Sequence, residues 1–153
     1  MKLTEFITKD VIIDDLKSSD KVGVLKELVD KLVEVGKIKN GEYALEVLLN
    51  REKIGSTGIG DGVAIPHGKM KGLKNVIAAF GRSKKGVDFD ALDKKPVHLF
   101  FLYLGPEDAP GVHLKILART TRVIKDAKFR EKLKSAKDAD EIYKLILEED
   151  EKL

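Results

Sequence analysis

The chain has 153 residues, 42% of them hydrophobic and 36% charged, and its 29 Lys and Arg nearly balance 26 Asp and Glu. This is the length of one ordinary domain, and the lack of cysteine removes disulfide scaffolds, thiolate metal sites and cysteine nucleophiles together. The net charge of +3 comes with both signs interspersed, which argues against nucleic-acid binding. No apolar run nears the roughly 18 residues of a membrane span, so no membrane insertion and a cytoplasmic location are expected.

No repeat or linker composition divides the sequence, and residues 1–153 are expected to form one unit. After Ser19 or Asp20 as a cap, Val22, Leu25, Leu28, Val29, Leu32 and Val33 recur at helical spacing, with Gly36 as a stop. A second helix is expected from about Glu42 to Arg51, placing Arg51 and Glu52 at its C-terminal end. Val76–Phe80 and Pro96–Leu104 are rich in β-branched and aromatic residues and read as strands, the second apolar enough to be central and covered on both faces. Phe100, Phe101 and Tyr103 are then core residues, and His98 a packed structural histidine. Beyond the turn-forming stretch Pro106–Gly111, helical patterns run through Leu114, Leu117 and Ile124, then around Phe129 and Leu133. A last helix opens at Asp138 and buries Ile142, Leu145 and Ile146, while the acidic tail Glu148–Glu151 is expected to fray. The whole predicts an α/β fold: a mixed, mostly parallel central sheet of about five strands with helices on both faces.

The stretch from Arg51 to Gly68 holds five glycines, a concentration that a stable fold retains where backbone must turn tightly or approach something closely. Gly55 and Gly60 have P-loop spacing, but Asp61 and Gly62 stand where Lys and Ser or Thr should be; the dinucleotide fingerprint fails as well, with Val63 and Ile65 in place of its last glycine. What remains is a short strand, Val63 to Ile65, closed by Pro66, which would leave His67 on the loop that follows. Taken alone, such a histidine is more often an ordinary surface or packing residue.

The flanking residues change that weighting. Arg51-Glu52, Gly55-Ser-Thr-Gly-Ile-Gly60, Ala64-Ile-Pro-His67-Gly68, Phe89-Asp-Ala-Leu92, Pro96-Val-His-Leu99 and His113-Leu114 span nearly the whole chain. On these residues the chain resembles the enzyme IIA proteins of the fructose/mannitol class of the bacterial phosphotransferase system, and the string from Arg51 to Gly60 most resembles their nitrogen-regulatory branch.

That resemblance implies a phosphocarrier. His67 would accept a phosphoryl group from an HPr-like phosphocarrier, on Nε2, with Nδ1 held by a backbone carbonyl of the glycine loop. Imidazole suits the task, because an ordinary pKa of about 6.5 leaves a nucleophilic nitrogen at neutral pH. Transfer of this kind is helped mainly by alignment and by donors around the phosphoryl oxygens. Arg51, His113 and the backbone N–H groups of the Thr57–Gly60 turn, Thr57 and Gly58 among them, match the positions that would supply these, and Asp61 matches an orienting acid. Plainer roles stand beside them: Arg51 neutralising the end of its own helix, and His113 sitting at a helix start. The resemblance implies no metal or cofactor, and a zinc site built on His67 and His113 lacks a motif. Partners would be the carrier and either an enzyme IIB, whose cysteine takes the group for sugar transport, or regulatory proteins such as a kinase or potassium transporter. A docking module without phosphotransfer is the rival reading.

Overall fold

The computed structural model describes residues 1–153. Two 3-10 turns, Leu3–Glu5 and Lys9–Val11, lead into strand β1 (Ile12–Ile13) and helices α1 (Lys21–Glu34) and α2 (Gly41–Ile54). Four strands follow in the glycine-rich region and after it: β2 (Gly58–Gly60), β3 (Val63–Ala64), β4 (His67–Met70) and the long β5 (Ile77–Val87). Strand β6 (Val97–Pro106) and helices α3 (Pro110–Val123), α4 (Ala127–Ser135) and α5 (Ala139–Glu151) complete the chain.

The sheet has six strands in the order β1-β5-β6-β3-β2, with β4 also pairing β6. Three pairings are parallel and two antiparallel, and the longest ladder is the antiparallel one between β5 and β6. As its apolar sequence predicts, β6 is the hub, buried at every position but His98. Phe100, Phe101 and Tyr103 are fully buried. His98 donates Nδ1–H to the Ser83 carbonyl at 2.8 Å, the structural role expected of it.

Strand alternation fixes the two faces. Gly81 of β5 lies against Leu16 and Leu28 on the α1 side. The next residue, Arg82, points the other way and donates to the carbonyls of Leu133 and Ala136 at the end of α4, at 2.9 and 2.8 Å. Arg82 pairs with Leu99, so Tyr103 shares its face, where the Tyr103 hydroxyl meets Thr120 of α3 at 2.7 Å. Helices α1 and α2 therefore cover one face and α3, α4 and α5 the other.

Several expectations are corrected. Helix α1 begins after Asp20, whose side chain accepts from the Gly23 N–H at 2.8 Å, but Val22 and Val33 face solvent and Val24 takes the core position. Helix α2 continues to Ile54. Strand β5 extends seven residues past Phe80, because the burial of Arg82 and Ser83 is invisible to a reading based on hydropathy. The tail does not fray: Asp150 is fully buried, and its carboxylate accepts from Arg119 Nε at 2.6 Å, which fastens α5 to α3.

The strand expected to end at Pro66 also resumes. Proline has no N–H to give the ladder, yet its carbonyl accepts the Tyr103 N–H at 3.0 Å. His67 then opens β4 in register with Tyr103. It belongs to the sheet, not to a loop.

Candidate functional site

No strand pairs the outer edge of β4, and there α2 and α3 converge from opposite faces. Their approach depends on two glycines. A Cβ on Gly68 would lie 2.5 Å from Val47 Cγ1 of α2, and one on Gly105 would lie 2.7 Å from His113 Nδ1 of α3. The result is a cleft of about 550 Å³, lined chiefly by Arg51 and Ile54 of α2, His67 and Lys69 of β4, and His113 and Leu114 of α3.

His67 is half-buried, and its Nδ1–H donates to the Ile65 carbonyl at 2.8 Å. The acceptor lies two residues upstream, not in the glycine loop where the sequence reading placed it. With Nδ1 engaged, Nε2 carries the lone pair. Burial pushes the His67 pKa below its ordinary value and the Arg51 charge adds to the fall, against the Ile65 hydrogen bond and the Glu52 charge. The ring is therefore neutral and nucleophilic at neutral pH.

His113 stands in the first turns of α3 with its ring centroid 5.6 Å from that of His67. It is 3% exposed, and its buried Nδ1 has no partner. A buried N–H with no acceptor is the rarer arrangement, so the ring proton belongs on Nε2. Burial first, then the charges of His67 and Lys69, bring its pKa down to about 4. One imidazole thus offers a lone pair and its neighbour an N–H.

Arg51 fills the plainer role considered for it and also borders the cleft. Its Nη1 donates to the carbonyl of Gly55, the C-cap of its own helix, at 2.8 Å, while the guanidinium lines the cleft. The following residue, Glu52, turns inward and is 8% exposed. It accepts the Thr57 N–H at 3.1 Å and the Thr57 hydroxyl, and pairs with Lys21 Nζ at 3.1 Å. This latch fixes the Gly55 turn that receives Arg51.

The same latch accounts for two residues that do not join the site. The Thr57 N–H is consumed by Glu52 and the Gly58 N–H by Ser56 Oγ at 3.1 Å, so neither donor is free and neither residue lines the cleft. Asp61 is also elsewhere. It occupies the β2–β3 turn with φ 56°, 4.0 Å from Arg130 Nη2, in a depression shared with His98 and Lys134. Conversely, the sequence reading did not single out Asn50 and Lys69, which do line the cleft. Lys69 lies two residues beyond His67, on the same side of the strand, a signal that the strand assignment would have supplied.

No carboxylate lines this cleft, whereas Arg51 and Lys69 do. Its charge would favour an anion beside a free imidazole nitrogen. Two large apolar side chains flank it: Ile54 is 83% exposed and Leu114 64%.

The lowered pKa values carry a stability consequence. Between about pH 6.5 and 4 an unfolded His113 binds a proton that the folded one does not. The contribution of this residue is therefore complete above pH 6.5 and is lost as pH falls toward 4; His67 adds with the same sign. The melting temperature should drop across this window, and it should drop less steeply in His113→Leu. Equal slopes in the two proteins would contradict the buried, neutral ring.

Comparison with known proteins is consistent along the chain. The family model described as "Phosphoenolpyruvate-dependent sugar phosphotransferase system, EIIA 2" matches residues 5–149. The chain is 40% identical over 146 residues to a nitrogen regulatory protein of Bradyrhizobium diazoefficiens, covering 95% of each chain. It is also 40% identical over 150 residues to the PTS system fructose-specific EIIABC component of Bacillus subtilis, covering 98% of this chain but 24% of that larger protein. The crystal structure of the nitrogen regulatory protein IIA-Ntr from Neisseria meningitidis superposes with a TM-score of 0.87 at 35% identity, over 94% of this chain and 98% of that one.

Proposed function

Since this chain belongs to the EIIA 2 family of the phosphoenolpyruvate-dependent sugar phosphotransferase system, and is a phosphocarrier component of that system, we propose that Nε2 of His67 is the atom that carries the phosphoryl group. The donor is the phosphohistidine of an HPr-like protein. Nε2 attacks phosphorus as the nitrogen–phosphorus bond of the donor breaks, and the donor imidazole leaves with the bonding pair. The loose transition state needs charge on its three outer oxygens to be held, not bond-making help from the protein. Arg51 supplies a planar cation, His113 an N–H from Nε2, and Lys69 a second charge.

The observation that carries this reading is the pairing of tautomers in a cleft free of carboxylates: Nδ1 of His67 is tied to Ile65 at 2.8 Å, which leaves Nε2 open, while His113 buries its Nδ1. Apolar Ile54 and Leu114 beside it suit a surface that excludes water while donor and acceptor align. Residues 1–153 act as one domain, and the match to a nitrogen regulatory protein over 95% of each chain favours reporting the phosphorylation state to regulatory partners over handing the group to an enzyme IIB.

The test is incubation with phosphoenolpyruvate, enzyme I and the carrier, followed by intact mass and nitrogen-15 NMR. One acid-labile phosphoryl group is expected, with the shift perturbation at Nε2. An unlabelled protein would overturn the phosphohistidine reading, and a label on Nδ1 would overturn the atom assignment.

A further inference from the structure

Glu52 is a buried acid that takes no part in the transfer step itself, and Thr57 belongs to the motif string yet stays out of the cleft. Both sit where two hydrogen-bonded paths meet. One path runs to the nucleophile. The Glu52 carboxylate accepts the Thr57 N–H at 3.1 Å and the Thr57 hydroxyl, the Thr57 carbonyl accepts the Ile65 N–H at 3.0 Å, and the Ile65 carbonyl accepts Nδ1–H of His67 at 2.8 Å. Ile65 lies between β3 and β4, outside the registered pairs of both, so Thr57 anchors a residue that those pairs pass over. The other path runs to the cation. The Glu52 backbone carbonyl accepts the Gly55 N–H at 3.2 Å, and the Gly55 carbonyl accepts Arg51 Nη1 at 2.8 Å. Glu52 thus holds the turn from Gly55 to Thr57 at both ends.

The latch is itself held from outside. Lys21, the first residue of α1, places Nζ 3.1 Å from Glu52 Oε1 and 4.9 Å over the Phe89 ring. Ser56 Oγ donates to the Phe89 carbonyl at 3.1 Å, and the Gly58 carbonyl accepts the Leu92 N–H at 2.9 Å. Stability alone does not call for this arrangement. Desolvation offsets most of the attraction in a buried ion pair, and apolar side chains of similar volume often replace one at no loss. A carboxylate does what an apolar group cannot: its two oxygens take the N–H and the O–H of one residue, and so set the direction in which the Thr57 carbonyl points.

We propose that Glu52 and Thr57 are positioning residues for the transfer, one latch aligning through a single turn both the Arg51 guanidinium and the Ile65 carbonyl that keeps the His67 proton on Nδ1. The proposal rests on the phosphocarrier reading. Neither residue touches the phosphoryl group. Thr57 acts on the nucleophile, since an Ile65 carbonyl out of place frees the ring proton to move to Nε2, where it blocks the attacking lone pair. Glu52 acts on both, and nucleophile and cation keep their alignment because one side chain governs both paths.

The test is Thr57→Val in the full chain, with the phosphorylated HPr-like carrier from the same genome as donor. Valine keeps the shape and the backbone N–H and loses the hydroxyl. Transfer kcat should fall about tenfold or more, the cost of a slightly misplaced reacting group, while KM for the donor stays within about twofold. Thr57→Ser, which restores the hydroxyl, should recover most of the rate. Nitrogen-15 NMR of the unphosphorylated ring gives a readout independent of transfer: the wild-type and serine proteins should hold the His67 proton on Nδ1, and the valine protein should show a measurable share on Nε2. Glu52→Gln, which keeps one acceptor oxygen and surrenders the other to an amide, should show both changes, and it decides the matter if the valine variant does not fold. Wild-type kcat and tautomer in folded variants, even with a lowered melting temperature, would overturn the positioning role and leave the phosphocarrier reading standing. A wild-type protein that takes no phosphoryl group would instead bring down the reading on which the proposal rests.

Discussion

His67→Ala should accept no phosphoryl group under conditions that load the wild-type chain, a loss of at least about 10⁴-fold, the scale seen when a nucleophile is deleted. The protein contains two other histidines, and neither can substitute. His113 buries one ring nitrogen without a partner and holds its proton on the other. His98 ties Nδ1 to the Ser83 carbonyl and faces a different depression, beside Asp61 and Arg130. The fold should survive, because His67 is only half-buried and its pairing with Tyr103 is made by backbone atoms. Rapid-quench labelling alongside a thermal melt separates the two effects; appreciable label in a well-folded variant would move the acceptor elsewhere.

His113→Ala should slow transfer by about 10² to 10³, the usual loss when one preorganised donor to developing charge is removed, with little change in affinity for the donor protein. His113→Gln, whose amide can still donate, should recover part of the rate. If His113 were only a packing residue at the start of α3, both variants would lower the melting temperature and neither would affect kcat selectively. The split between kcat and KM, together with recovery by glutamine, distinguishes the two roles.

The fold class could be read from the sequence because its largest elements carry strong periodicity. Leu25, Leu28, Val29 and Leu32 mark α1, and the apolar run Leu99 to Leu104 marks the hub strand. The elements that escaped are those built by tertiary context. Strands β1 and β2 have two and three residues, and their pairing comes from neighbours rather than composition, whereas the short strand expected over Val63 to Ile65 is found as β3. The second half of β5 is polar in sequence, and Arg82 is buried there because helix-end carbonyls receive it. At the site, His67, Arg51 and His113 could be found from the Ile-Pro-His string and its flanking residues. Thr57, Gly58 and Asp61 share that string but not the cleft, since motif adjacency does not reveal that Glu52 captures the loop amide. Lys69 required knowing that His67 begins a strand.

That last feature determines how the molecule moves during its task. On the proposed function, an acceptor fastened by ladder bonds to the hub of the sheet is a stationary post, and no hinge of its own carries it toward one client and then another. Exchange between successive clients must come from their own arrival and departure over the same face. Only one can be seated at a time, so the order of traffic is set by competition for a single berth.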